Sequence, residues 1–201
     1  IIVITGHTAT GKTALALEYA KKYNGELINA DSRQIYKYLT IITGKDITPG
    51  AKFQHVDIIS DFDLGYYLID NTALWLYDVV DPASTFSSYD FQKLAVASID
   101  AIHKKGKIPI IVGGSYFYIK HLLYGFETQS SPPDWNLRNR LNSYSTAKLQ
   151  QELQLISSDI FEKMNQSDQN NPRRLIRRLE VELFKKNKHN VSLDPIIKRQ
   201  S

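Results

Sequence analysis

The sequence predicts an α/β fold, a mainly parallel sheet flanked by helices, with a small helical insertion towards the C-terminal end. Three observations predict it. Short apolar, β-branched runs alternate with segments of helical composition. Each of several runs stops at a knot of Gly, Asp or Ser, as strands do at the ligand-binding edge of such sheets. The composition turns polar and Pro/Ser-rich at 128–133 before helical patterning resumes.

Residues 1–5 form a continuous apolar run ending at Gly6, a buried parallel strand. Residues 12–23, rich in Ala, Leu, Glu and Lys, read as a helix. A second strand over 26–29 opens into Ala30-Asp31-Ser32. The stretch 42–70 reads as loop-rich. A strand is expected over 75–80, ending at Asp81-Pro82. Residues 89–105 are helical, with Phe91, Leu94, Ala95, Ile99 and Ile102 on the apolar side. A strand over 108–112 stops at Gly113-Gly114, and 115–124 reads as helix. Polar, helix-like sequence fills 134–169. Asn171-Pro172 then opens a helix, Asn as the cap and Pro in the first turn, with Leu175, Ile176, Leu179 and Leu183 at helical spacing. Residues 1–126 and 171–201 are thus assigned to one core, and 127–170 to a helical insertion.

Composition narrows the function. The apolar share of 42% suffices for a core, and no run is long enough to span a membrane. The absence of Cys rules out disulfides and Cys-ligated zinc within these residues, and the five His lack metal-ligand spacing. The expected location is cytoplasmic and the expected state monomeric. Net charge is +4, but residues 171–201 alone hold nine Lys/Arg against three Asp/Glu, which leaves −2 on the first 170. Such a basic end fits either a polyanionic partner or a solvated tail.

Gly6-His7-Thr8-Ala9-Thr10-Gly11-Lys12-Thr13 has the G-x-x-x-x-G-K-[ST] pattern, between an expected strand and an expected helix. Glycines let the backbone close around phosphate oxygens, and the helix start adds free N–H groups and partial positive charge. Lys12 supplies a point charge, and the Thr13 hydroxyl is a ligand for Mg²⁺. The segment is therefore a P-loop and the sheet P-loop NTPase-like. ATP, GTP or an organic pyrophosphate presents the same oxygens to it. Asp31, at the end of the second strand, is placed either as a base or metal-orienting carboxylate or as a turn residue. Arg173, Arg174, Arg177 and Arg178 are either an anion site or a solvated helix face.

Taken together, Gly6–Thr13, Ala30-Asp31-Ser32-Arg33-Gln34-Ile35-Tyr36, Asp78–Pro82, Val112–Ser115 and the Asn170–Val181 stretch resemble, in that order, the motifs of the tRNA dimethylallyltransferase family. The resemblance runs to about residue 188. It implies transfer of a dimethylallyl group from dimethylallyl pyrophosphate to N6 of the adenosine next to the anticodon, with Mg²⁺ as cofactor and the tRNA anticodon stem-loop as partner. Asp31 then matches the general base. Gly6, Thr8, Ala9, Thr10, Gly11, Lys12, Thr13, Arg174 and Arg177 hold the pyrophosphate, with Thr13 on the metal. Ser115 stands for the family's Thr beside the breaking bond. Ser32, Gln34 and Tyr36 meet the tRNA, and the insertion grips the stem-loop. His7 replaces a family Pro, and Tyr116 a family Gly. Transfer to free AMP, ADP or ATP, a P-loop small-molecule kinase, and an inactive phosphate- or RNA-binding relative are the competing readings.

Overall fold

The fold is that of a computed structural model, which describes residues 1–7, 10–125 and 131–187. Two compact units divide it, residues 1–125 and 126–201.

The first unit holds a six-stranded sheet. Strand β1 (Ile2–Thr5) leads into helix α1 (Lys12–Tyr23) and strand β2 (Gly25–Asn29). A single helical turn, α2 (Thr40–Thr43), precedes β3 (Gln54–Ile59), β4 (Phe62–Ile69) and β5 (Thr72–Trp75). Helix α3 (Ser88–Lys104), strand β6 (Ile108–Gly113) and helix α4 (Tyr116–Tyr124) complete the unit. The strand order is β1-β6-β2-β5-β4-β3. Four neighbours, β1, β6, β2 and β5, are parallel, while β4 and β3 append an antiparallel margin.

Alternation along the strands explains their continuous apolar runs. Leu27, Leu74 and Ile110 pack with Ala16 and Ala20 of α1 on one face. Ile28, Trp75 and Ile111 pack with Phe91, Leu94 and Ile102 of α3 on the other. A sheet covered on both faces needs apolar residues at every position. The α3 start is fixed by a capping box, in which Ser87 N–H donates to Asp90 Oδ2 at 2.9 Å.

Two expectations are corrected. The stretch 42–70 is not loop-rich but contains α2, β3 and β4. Its turns are two residues long: Ser60 and Asp61 have φ of 51° and 69°, Asp70 and Asn71 of 47° and 61°. These are the left-handed values of a tight hairpin turn. The strand expected over 75–80 ends at Trp75, because Leu76 and Asp78 turn left-handed at φ 67° and 56°.

The second unit is helical: α5 (Trp135–Leu141), α6 (Thr146–Lys163), α7 (Gln166–Gln169) and α8 (Pro172–Asn187). Leu141, Leu149, Leu153, Leu175, Ile176 and Leu179 form its core, with Leu183 half-buried. Asn171 caps α8 as expected, its Oδ1 accepting from Arg173 N–H at 3.1 Å. Within this unit α8 is the helix on which α5, α6 and α7 assemble. Buried Glu180 ties α5 to α8, accepting from Arg138 Nε and Nη2 at 2.8 Å and from Asp134 N–H at 2.6 Å. No helix among the described residues is long and apolar enough to cross a membrane.

Candidate active site

The site is built where β1, β2 and β6 end. Gly11 lies at the N-cap of α1 with φ 75°, a left-handed value that favours glycine, and no side chain caps the helix. The first N–H groups of α1 are therefore open to an anion. Thr10 Oγ1 donates to the His7 carbonyl at 2.8 Å, and Lys12 Nζ reaches over the loop to the same oxygen. Thr8 and Ala9, two of the expected phosphate contacts, lie outside the described residues.

At the end of β6 the chain passes very close to β2. A Cβ on Gly113 would fall 2.3 Å from the Ala30 carbonyl oxygen, so only glycine fits. Ser115 N–H donates to that carbonyl at 3.1 Å, and the Ser115 hydroxyl accepts from Ser32 N–H at 2.8 Å. Thus Ser115 and the Asp31 turn are bonded directly.

Asp31 is positioned by backbone bonds. Its N–H donates to Asn29 Oδ1 at 3.1 Å, and its Oδ1 accepts from Arg33 N–H at 2.9 Å. Its Oδ2 has no hydrogen-bond partner among the described residues. Gln34 Nε2 donates to the carbonyls of Thr43 and Gly44 at 3.1 and 3.0 Å, which leaves its own carbonyl as an acceptor.

A cleft of about 570 Å³ joins these parts, lined among others by Thr10, Gly11, Lys12, Thr13, Asp31 and Gln34. Gly6, Ser32, Tyr36 and Ser115 do not line it. Tyr36 pairs with Val80 in a single bridge, and its carbonyl accepts from Lys45 Nζ. Tyr116 is exposed at the first turn of α4, set edge-on to Phe117. Arg174 and Arg177 stand in the second unit. Arg174 pairs with Asp168, while Arg177 pairs with Glu180 and donates to the Ser131 carbonyl at 2.9 Å.

Three further residues line the cleft that the sequence did not single out: Asn29, Asp46 and Tyr77. Asn29 is buried and donates to the Leu76 carbonyl at 3.2 Å, bracing the Asp31 turn against the end of β5. Burial first, and then the carboxylates of Asp46, Asp31 and Asp78, push the Tyr77 phenol far above its usual pKa. It therefore stays neutral. The only sequence signal for Asp46 is its place after Gly44-Lys45, where no spacing rule points to it.

The donor set also bears on a metal. Thr13, Asp31 and Asp46 line one cleft, and no group of three or more His, Cys, Asp or Glu able to hold an ion occurs among the described residues. Mg²⁺ characteristically takes one or two carboxylates and fills its remaining positions with substrate phosphate and water, so the residues fit that ion.

The family model described as IPP transferase matches residues 34–195. Among curated proteins, the tRNA dimethylallyltransferase of Aquifex aeolicus is 38% identical over 185 residues, covering 90% of this chain and 53% of that protein. The tRNA dimethylallyltransferase of Endomicrobium trichonymphae is 40% identical over 184 residues, covering 92% and 56%. The chain thus spans about half the length of these relatives. Among solved structures, a eukaryotic dimethylallyltransferase acting on tRNA superposes with a TM-score of 0.67 at 28% identity, covering 96% of this chain and 45% of that one. The full-length tRNA isopentenylpyrophosphate transferase of Bacillus halodurans gives 0.52 at 33% identity, covering 90% and 54%.

Proposed function

The chain belongs to the IPP transferase family, and from that premise we propose that it carries the donor- and acceptor-facing cleft of a tRNA dimethylallyltransferase. The reaction moves the dimethylallyl group of dimethylallyl pyrophosphate to N6 of the adenosine beside the anticodon and releases pyrophosphate. The observation that carries this reading is the shared cleft, where phosphate-loop residues Gly11, Lys12 and Thr13 face Asp31 and Gln34.

The N6 lone pair forms a bond to the allylic carbon as the bond from that carbon to the pyrophosphate oxygen breaks, its electrons leaving with the pyrophosphate. Lys12 and the uncapped amides of α1 stabilise the charge that builds on the leaving group. Asp31 Oδ2 takes the proton from the amine, while Oδ1, bonded to Arg33 N–H, holds the carboxylate in place. The Gln34 carbonyl accepts from the exocyclic amine and orients it. The Ser115 hydroxyl accepts from Ser32 N–H, which leaves its own proton for another acceptor; a hydrogen bond from it to the leaving oxygen rests, like the role of Arg174, on its place in the motif. Thr13, with Asp31 and Asp46 nearby, would hold Mg²⁺, which when bound supplies further neutralisation of the pyrophosphate. A cationic role for Arg174 towards the leaving group rests on its place in the motif.

Calorimetric titration tests the donor half. Dimethylallyl pyrophosphate with Mg²⁺ should bind at least tenfold more tightly than ATP with Mg²⁺, and chelation of Mg²⁺ should weaken it. Preference for ATP would turn the cleft into that of a small-molecule kinase.

A further inference from the structure

The mouth of the cleft carries an apolar turn that no core accounts for. Thr43, the last residue of the one-turn helix α2, and Gly44 after it line the cleft. This rim is firmly held. Gln34 bonds the Thr43 and Gly44 carbonyls, and Thr43 Oγ1 donates to the Leu39 carbonyl at 2.6 Å. Behind it the wholly buried Lys45 side chain bonds Asp78 Oδ1 and the Tyr36 carbonyl, both at 2.5 Å, and Tyr67 holds the other Asp78 oxygen at 2.8 Å.

On this braced support Tyr38, Ile41 and Ile42 are 81%, 96% and 87% exposed. None belongs to a core cluster. Tyr38 also sits at φ 64°, a left-handed conformation unfavourable for a bulky residue. Single exposed apolar side chains are ordinary, but three on one anchored turn beside a cleft are not. Arg33, exposed on the segment that leads to the turn, makes no ion pair among the described residues.

Building on the tRNA reading above, we propose that this turn is a wedge: Tyr38, Ile41 and Ile42 pack against the bases flanking the extruded adenosine, and Arg33 takes a phosphate of the same RNA loop. Drawing a base out of its stack leaves its neighbours without a stacking partner. Apolar and aromatic side chains set against those neighbours replace part of what is lost. The occupant is RNA because the turn continues the wall of the cleft that receives the target base, and because the Arg33 charge complements phosphate.

An anticodon stem-loop RNA with 2-aminopurine beside the target adenosine tests this by fluorescence titration at several salt concentrations. Ile41→Ser/Ile42→Ser should weaken binding about tenfold, as expected for one lost stacking contact, and leave the slope of log affinity against log salt unchanged. It should also reduce the 2-aminopurine signal change. Arg33→Gln should lower the slope by about 0.7, one single-stranded phosphate contact. Both should leave calorimetric pyrophosphate binding and the melting temperature at wild-type values. RNA affinity in the double variant within about twofold of wild type, or a parallel loss of pyrophosphate binding, overturns the wedge. Wild-type protein that binds no RNA overturns the tRNA reading and the wedge with it. Wild-type and double-variant proteins that modify RNA equally well overturn the wedge alone.

Discussion

Asp31 is held by the backbone on one side only. Oδ1 accepts from Arg33 N–H, Asn29 braces the turn from below, and Oδ2 is left to the cleft. That geometry separates holding the carboxylate from using it. Asp31→Asn keeps an acceptor for Arg33 N–H but removes the proposed base. Transfer to RNA should fall by about 10²- to 10⁴-fold while calorimetric pyrophosphate binding stays at the wild-type value. Equal losses in both would mean that Asp31 shapes the phosphate site instead. At this scale the sequence revealed the residues that belong to a contiguous motif, Lys12, Thr13, Asp31 and Gln34. It did not reveal Asn29, Asp46 or Tyr77. Their places depend on how the ends of β2 and β5 and the turn after α2 come together, and no local spacing encodes that.

Among the elements, the parallel strands and their helices were legible because burial on both faces imposes unbroken apolar runs. The antiparallel margin was not. Its turns, Ser60-Asp61 and Asp70-Asn71, take left-handed conformations without glycine, and β3 is largely exposed, so the hairpins lack both the Gly signal and a clean alternation. A buried ionic link joins several elements at the opposite end of the sheet from the cleft. Glu26 of β2 accepts from Trp75 Nε1 at 2.8 Å, Lys107 Nζ at 2.9 Å and Lys105 Nζ at 3.1 Å. Burial opposes its ionisation, but the bonds from Lys107, Trp75 and Lys105 outweigh burial and hold the carboxyl below its usual pKa. A depressed pKa in the folded state stabilises the fold above the unfolded value, and the benefit is lost as pH falls through the folded one. Denaturant melts of Glu26→Gln should therefore show lower stability than wild type at neutral pH and a flatter decline below about pH 4.5. Parallel wild-type and variant curves across that range would remove the link from the account.

Across the molecule, the two units have different characters. The first contains the cleft within a sheet covered on both faces. The second is a helical cluster assembled on α8, which carries Arg173, Arg174, Arg177 and Arg178. The basic excess lies at the end of the second unit, in residues 171–201. The proposed reaction, with a small pyrophosphate donor and a large RNA acceptor, would use the cleft for the first and the basic helices for the second. The most direct measurement is transfer itself. The purified chain is incubated with Mg²⁺, radiolabelled dimethylallyl pyrophosphate and either unmodified tRNA or AMP. Label is expected in tRNA, on N6 of the adenosine beside the anticodon, and none in AMP. Label in AMP alone, or in neither acceptor, would contradict it.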